Sequence, residues 1–108
     1  MSQSCTLPEH FITQVSETIK LLGHAQRLRI LEHLDLNGES SVGAITEGIG
    51  GQQSAVSQHL NKMRVSNVLV SRREGKRMYY RIASESATTI LSCIRKEYYK
   101  KIHLYRKA

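Results

Sequence analysis

Short polar side chains are concentrated between residues 53 and 62 of this 108-residue chain. A glutamine can hydrogen-bond to both N6 and N7 of adenine, and a serine hydroxyl can donate to or accept from a base edge. The apolar residues Val56, Leu60 and Met63 recur at spacings of four and three, which predicts a helix with one buried side. The side chains expected to read DNA bases are Gln53, Ser54, Ser57, Gln58 and His59. The alternative interpretation is an ordinary solvated helix face.

The positive charge of the chain is confined to two blocks. Residues 62–81 carry +6 and residues 94–108 carry +5, whereas the rest of the chain is net negative, within a total of +7. A basic balance of this size predicts a polyanionic partner, either nucleic acid or an anionic membrane face. The C-terminal block is interpreted as a solvated helix end whose charge complements the helix dipole.

A hairpin is predicted from residue 69 to residue 82. Two β-prone runs flank Glu74-Gly75-Lys76, and glycine supplies the positive φ that a tight turn needs. Basic side chains near such a tip can contact phosphates or enter a narrow minor groove. The residues expected to make these backbone or minor-groove contacts are Lys62, Arg64, Arg72, Arg73, Lys76 and Arg77. The alternative is an edge hairpin that its charge keeps soluble.

Helical spacing of apolar residues predicts five helices that must position these side chains. Thr6 is the expected cap of the first helix, Ser41 of the third, and Ser84 or Ser86 of the last. The helices are expected at about residues 8–22, 24–36, 42–49, 53–66 and 84–105.

The order of these elements defines the fold class. A short helix, a turn and a polar helix match the helix-turn-helix pattern, and a basic hairpin directly after it is a wing. The prediction is a mainly α, winged helix-turn-helix fold with a small β-hairpin, in the order helix, helix, helix, helix, strand, strand, helix. The helix-turn-helix spans about residues 41–66 and the wing residues 69–82, within one domain of residues 1–108.

Several protein classes are excluded or disfavoured by the sequence. No apolar run approaches the roughly 18 residues of a membrane span, so no membrane partner is expected. The first residues do not form a secretory signal, and two cysteines are no disulfide framework, so the cytoplasm is the expected location. No nucleophile with a base, phosphate loop or paired carboxylates is found, so we expect a protein that is not an enzyme and needs no cofactor.

Four segments together resemble the ArsR/SmtB family of bacterial repressors. The segment from Ser41 to Ile45, the run QSAVSQHL at residues 53–60, and the hairpin runs 69–73 and 79–82 carry the resemblance. So does HAQRLRIL at residues 24–31, where Ala25 replaces the usual proline. The sequence departs from the family at Gly51-Gln52, where a serine or asparagine cap is usual, so the polar helix is expected to begin less firmly.

The resemblance implies a homodimer that binds an operator with two-fold character and is released by an inducer. In the family the first and last helices form the dimer interface. The residues expected there are Phe11, Ile12, Val15, Ile90, Leu91, Ile94 and Tyr98. The alternative is that this apolar stripe is buried within one subunit.

The sensing chemistry is left open by the sequence. The Cys-x-Cys and Asp-x-His ligand sets of metal-sensing relatives are both missing, so no metal site is expected. Cys5 and Cys93 are candidates for a thiol-based sensor of oxidants or sulfur species, although a buried Cys93 that packs as a small apolar residue is the simpler account. Two further alternatives are a non-specific architectural DNA-binding protein and a protein-interaction module.

Overall fold

The computed structural model describes residues 6–107, and it describes side-chain burial for residues 6–103. The elements are α1 (Glu9–Leu22), α2 (Ala25–Asn37), β1 (Ser40–Ser41), α3 (Val42–Ile49), α4 (Gln53–Val65), β2 (Leu69–Glu74), β3 (Arg77–Ile82) and α5 (Glu85–Lys107). The mainly helical, winged helix-turn-helix fold is confirmed.

A third strand was not predicted from the sequence. Strand β1 pairs with β3 through Ser40 opposite Tyr80, and the antiparallel sheet has the order β1-β3-β2. Two residues are too few to show the alternation of apolar and polar side chains that identifies a strand. The sheet is therefore three-stranded, and β1 joins the base of the wing to the start of the helix-turn-helix.

The helix ends follow the local sequence closely, with one exception. The Ser41 hydroxyl accepts a hydrogen bond from the amide of Ala44 at 3.1 Å, and the Ser84 hydroxyl accepts one from Ala87 at 3.1 Å, as predicted. The prediction that Thr6 caps α1 is wrong, because Pro8 is the N-cap and makes no side-chain hydrogen bond. At the start of α4, Gln52 also makes no capping hydrogen bond, as its residue type predicted.

Two positive φ angles shape the wing. Asn67 has φ 64° between α4 and β2, and Gly75 has φ 63° at the hairpin tip. Asparagine and glycine tolerate the left-handed conformation better than other residues do. These two positions direct β2 back from α4 and then β3 back along β2, with Leu69 opposite Ile82 and Glu74 opposite Arg77.

One apolar core joins the helices to the base of the wing. Its largest fully buried side chains come from α2, α3, α4 and the start of β2, and they are Ile30, Leu31, Ile45, Leu60, Met63, Leu69 and Val56. Helix α5 reaches this core through Ala87 and Leu91, and its Arg95 forms an ion pair with Asp35 of α2. The core thus fixes α4 and the wing base together, while the wing tip extends away from it.

Helix α3 contains two glycines in eight residues. A Cβ atom at Gly43 would meet nothing within 4 Å, whereas one at Gly48 would lie 2.5 Å from Nδ1 of His33. Gly48 therefore permits α3 to pack directly against the His33 ring of α2. In the part of the chain that the structure describes, no helix combines the length and apolar character needed to cross a membrane.

Candidate nucleic-acid interface

A groove lies between α3, the first half of α4 and the tip of the wing. It has a volume of about 710 Å³. Its lining includes Gln53 and Ser57 from α4 together with Lys76 and Arg77 from the wing. We call it the reading groove. It brings two predicted base-reading residues next to two predicted phosphate-contacting residues.

The exposed side of α4 results from the burial of its opposite side. Val56, Leu60 and Met63 are fully buried, so the polar residues between them face outward. Gln53, Ser54, Ser57 and Gln58 are all exposed. The Gln52 side chain does not cap the helix, so the backbone N–H groups of the first turn of α4 do not donate to it.

His59 differs from the other four predicted base-reading residues. It is half-buried, and its Nδ1 accepts a hydrogen bond of 3.1 Å from Nε of Arg27 on α2. Two residues correspond to roughly 200° of rotation around a helix, so His59 lies on the far side of α4 from Ser57. Burial lowers the pKa of His59, and the charges of His24, Arg27 and Lys62 lower it further. The structure therefore places His59 between α4 and α2, outside the reading groove.

Arg72 is exposed on the wing, but its guanidinium is held by its neighbours. Its guanidinium donates to both carboxylate oxygens of Glu39 at 2.8 to 3.0 Å and to Glu74 at 2.7 Å. It also lies 4.8 Å from the centre of the Tyr79 ring. These hydrogen bonds hold the pKa of the Glu39 carboxyl below its ordinary value and raise the pKa of Arg72. The charge of Arg72 is thus already matched within the chain.

The other predicted backbone-contacting residues are exposed. Among the residues that the structure describes, Arg73, Lys76 and Arg77 have no carboxylate partner in an ion pair. Arg64 donates to Asn61 at 2.7 Å near the end of α4. Lys62 lies away from the reading groove, in a second cavity of about 950 Å³ between α1 and the end of α4. Three free cations therefore surround the wing tip, and Lys62 and Arg64 lie at the opposite end of α4.

Sequence reasoning missed two acidic residues of this region. Glu39 anchors Arg72, and Glu47 of α3 lines the reading groove. Neither has a local signal in the sequence, because each depends on which distant residues the fold brings near it.

The predicted dimer residues divide into three groups. Phe11, Ile12, Ile94 and Tyr98 are 42%, 48%, 48% and 60% exposed. Val15 and Ile90 are half-buried. The assignment of Leu91 to the interface is corrected, because Leu91 is only 5% exposed and packs in the core of its own chain. Ile19, on the same stripe of α1, is also exposed, and further exposed large apolar residues are Leu7, Leu36, Val65 and Tyr99.

Of the two candidate sensor thiols, the structure describes one. Cys93 is exposed on α5, so its interpretation as a buried apolar residue is wrong for the single chain. Cys5 lies outside the described residues. Within residues 6–107, no three His, Cys, Asp or Glu side chains gather as a metal site would require.

The fold, with a polar helix and a basic wing around one groove, defines a protein of the winged helix-turn-helix class. Residues 24–69 match the family described as bacterial regulatory protein, arsR family. The chain is 33% identical over 85 residues to the HTH-type transcriptional regulator YgaV of Escherichia coli, an alignment that covers 79% of this chain and 86% of YgaV. The chain belongs to the ArsR family.

Two further similarities extend this result. The chain is 36% identical over 76 residues to the nodulation protein NolR of Rhizobium meliloti, and the alignment covers 70% of this chain but only 62% of NolR. The solution structure of the homodimeric winged helix-turn-helix DNA-binding domain of Mb0332 from Mycobacterium bovis matches with a TM-score of 0.68 and 30% identity. That match covers 88% of this chain and 87% of that chain.

Proposed function

We propose that this protein is a sequence-specific DNA-binding transcriptional regulator that acts as a homodimeric repressor and is released by an effector. The observation that carries the proposal is the reading groove, where Gln53 and Ser57 lie beside Lys76 and Arg77. Amide and hydroxyl groups can read base edges, while lysine and arginine bind phosphates. The role requires chromosomal DNA, so we place the protein in the cytoplasm.

The geometry supports entry of α4 into the major groove. The N-terminal residues of a recognition helix contact base edges in this motif, and Gln53, Ser54, Ser57 and Gln58 occupy that half of α4. The wing then extends Arg73, Lys76 and Arg77 toward the DNA backbone or the minor groove. Lys62 and Arg64, at the end of α4, are assigned to the flanking backbone. His59 and Arg72 are not assigned to DNA contacts, because both side chains are engaged within the chain.

The apolar surface of α1 and α5 supports a homodimer. The stripe on α5 is buried by its own chain as far as Leu91 and is exposed at Ile94 and Tyr98. The exposed Phe11 and Ile12 of α1 add to this surface. Burial of such a patch by a second copy removes apolar area from water and presents two α4 helices to one duplex. Mb0332, which shares the fold, is homodimeric.

Selection of bound duplexes from a random-sequence DNA pool tests the proposal. The expected product is a two-fold symmetric site whose half-sites lie about 10 base pairs apart or a multiple of that distance. Gln53→Ala and Ser57→Ala should each change which bases are enriched at one position per half-site. Gln14→Ala, which removes an exposed glutamine from α1, is the matched control and should leave the selected sequence unchanged.

Two results would contradict the proposal. A pool that shows no enrichment would mean that the wild-type protein does not read sequence. A uniform loss of affinity in Gln53→Ala and Ser57→Ala, with the same preferred site, would mean that these side chains do not read bases.

A further inference from the structure

Arg27 of α2 makes hydrogen bonds to both α1 and α4. Its Nη1 donates to the backbone carbonyl of Leu21, in the last turn of α1, at 3.0 Å. Its Nε donates to Nδ1 of His59, on α4, at 3.1 Å. Both hydrogen bonds are partly buried, and Arg27 itself belongs to α2. One guanidinium therefore connects the end of the proposed dimerisation helix with the proposed recognition helix.

The hydrogen bond to His59 requires an unprotonated ring nitrogen. An imidazole nitrogen that carries a hydrogen cannot accept another one, and a protonated imidazole carries hydrogens on both nitrogens. The His59 ring also packs edge-on against His24, with ring centres 4.5 Å apart. Nδ1 of His24 accepts from the amide of Gln26 at the start of α2, so that nitrogen must be unprotonated as well.

We propose that Arg27 is a positioning residue that fixes the recognition helix α4 relative to α1, and that protonation of His59 opens this link and weakens operator binding. This inference rests on the proposed function, since it concerns regulation of the same DNA-binding surface. It gives Arg27 a role and gives His59 a role other than base reading.

The charges around His59 favour opening of the link after protonation. His24 and Arg27 face the ring from the α2 side, and Lys62 lies one turn further along α4. From α1, Glu17 and Lys20 line the same cavity as Arg27 and Lys62. A proton on His59 would place a new cation against Arg27 and Lys62, with Glu17 as the one nearby acid of that cavity lining. Burial and these charges keep the pKa of His59 below its ordinary value, so the ring is neutral at physiological pH.

The two-fold symmetry of the proposed complex makes the position of α4 important. Both α4 helices must fit two half-sites at once, and their separation is set through α1 and α5. Loss of the Arg27 link should let each α4 move relative to α1. The affinity for a two-fold site should therefore fall more than the affinity for random DNA. The direction of the change in affinity on protonation distinguishes this mechanism from a simple charge effect, because an added positive charge alone would strengthen binding to DNA.

The test compares affinity for the selected two-fold duplex between about pH 8 and about pH 5, a range that spans the ordinary histidine pKa. The wild-type protein should lose about tenfold in affinity for this duplex toward the acid end, the size of one lost hydrogen bond. Its affinity for a random-sequence duplex should not fall. Arg27→Gln should bind the selected duplex about tenfold more weakly at every pH and should show no further acid loss.

Two substitutions of His59 form the matched control. In His59→Asn the amide oxygen can take the place of Nδ1 as an acceptor, but it does not titrate. This variant should bind more tightly than His59→Ala at neutral pH and should lack the acid loss. Acid loss that persists in His59→Asn, or no acid loss in the wild-type protein, would overturn the proposal.

A measurement without DNA separates this inference from the proposed function. NMR titration of the His59 ring in the free protein should give a higher pKa in Arg27→Gln than in the wild-type protein, because a lowering charge is removed. An unchanged pKa would contradict the coupling between Arg27 and His59, even if operator binding were normal. If the wild-type protein selects no DNA sequence, the proposed function fails, while the titration still decides whether Arg27 and His59 are coupled.

Discussion

Arg72 and Glu39 are joined by three hydrogen bonds of 2.8 to 3.0 Å although they lie 33 positions apart in the chain. Arg72 belongs to β2 of the wing, and Glu39 directly precedes β1. The pair therefore ties the wing to the turn that leads into the helix-turn-helix. The direction of the wing depends on side chains as well as on the sheet.

The first prediction concerns the free cations of the wing. Arg77→Gln should weaken binding to all DNA sequences and reduce the slope of log affinity against log salt by about 1, because one phosphate contact is lost. Fluorescence anisotropy with a labelled duplex at several salt concentrations measures this slope. Arg29→Gln removes an exposed arginine of α2 that pairs with Glu32, and it should leave the slope unchanged. An unchanged slope in Arg77→Gln would rule out its phosphate contact.

The second prediction concerns the pH dependence of the wing anchor. Hydrogen bonds from Arg72 hold the pKa of Glu39 below its unfolded-state value, so the ionised pair stabilises the fold at neutral pH. This stabilisation is lost as the pH falls through the lowered pKa of Glu39. The melting temperature of the wild-type protein should exceed that of Glu39→Gln at neutral pH, and the two should converge in strong acid.

High salt should reduce the difference in melting temperature between the wild-type protein and Glu39→Gln, because the Arg72 and Glu39 side chains are partly exposed. The control is Glu47→Gln, which alters an exposed carboxylate outside the ion pairs of the described residues. It should have the same melting temperature as the wild-type protein. A difference between wild type and Glu39→Gln that stays constant with pH would mean that the charge of Glu39 is not involved.

The third prediction contrasts the two glycines of α3. Gly43→Ala should stabilise the protein by up to about 1 kcal/mol, because alanine favours the helix and the site is open. Gly48→Ala should be at least about 1 kcal/mol less favourable than Gly43→Ala, because the new Cβ would lie 2.5 Å from Nδ1 of His33 and the ring would have to move. Chemical denaturation measures both values.

A double substitution tests the cause of the Gly48 effect. Removal of the ring in His33→Ala should make the further change Gly48→Ala much less costly than it is in the wild-type background. An equal cost in both backgrounds would show that the contact with His33 is not the reason.

The fourth prediction separates the core of the subunit from the proposed interface. Leu91→Ala should lower the free energy of unfolding by about 2–5 kcal/mol, because Leu91 is buried in its own chain. Ile94→Asp should shift a dimer toward monomer in sedimentation experiments, since it places a charge in the exposed apolar patch. Thr89→Asp changes an exposed residue on the opposite side of α5 and is the control. A chain that sediments identically with Ile94→Asp would argue against this interface.

Local features of the fold were predictable from the sequence, whereas distant contacts were not. The Ser41 cap and the positive φ of Gly75 depend on a few neighbouring residues, and both were expected. The Arg72–Glu39 pair depends on the three-dimensional path of the chain, and no residue pattern indicates it.

In the candidate site, too, local features were predictable and contacts between distant residues were not. The residue types of α4 and the charge of the wing predict which elements contact DNA. They did not show that His59 turns toward Arg27, because the rotation of a helix about its axis is fixed by packing. They also did not show that Leu91 is buried while Ile94 is exposed. How far along α5 the side chains are covered by the rest of the subunit depends on the size of its core.

The two glycines of α3 also bear on how readily this helix opens locally. Glycine is about 1 kcal/mol less favourable than alanine in a helix, so α3 has little helical stability of its own. It is held by its Ser41 cap and by the burial of Ile45. Val42 and Ile49 add partly buried contacts with the core. A segment of low intrinsic helical stability can open at a lower free energy than the whole domain. We expect local opening of α3 to disrupt the helix-turn-helix while α1 and α5 keep their structure.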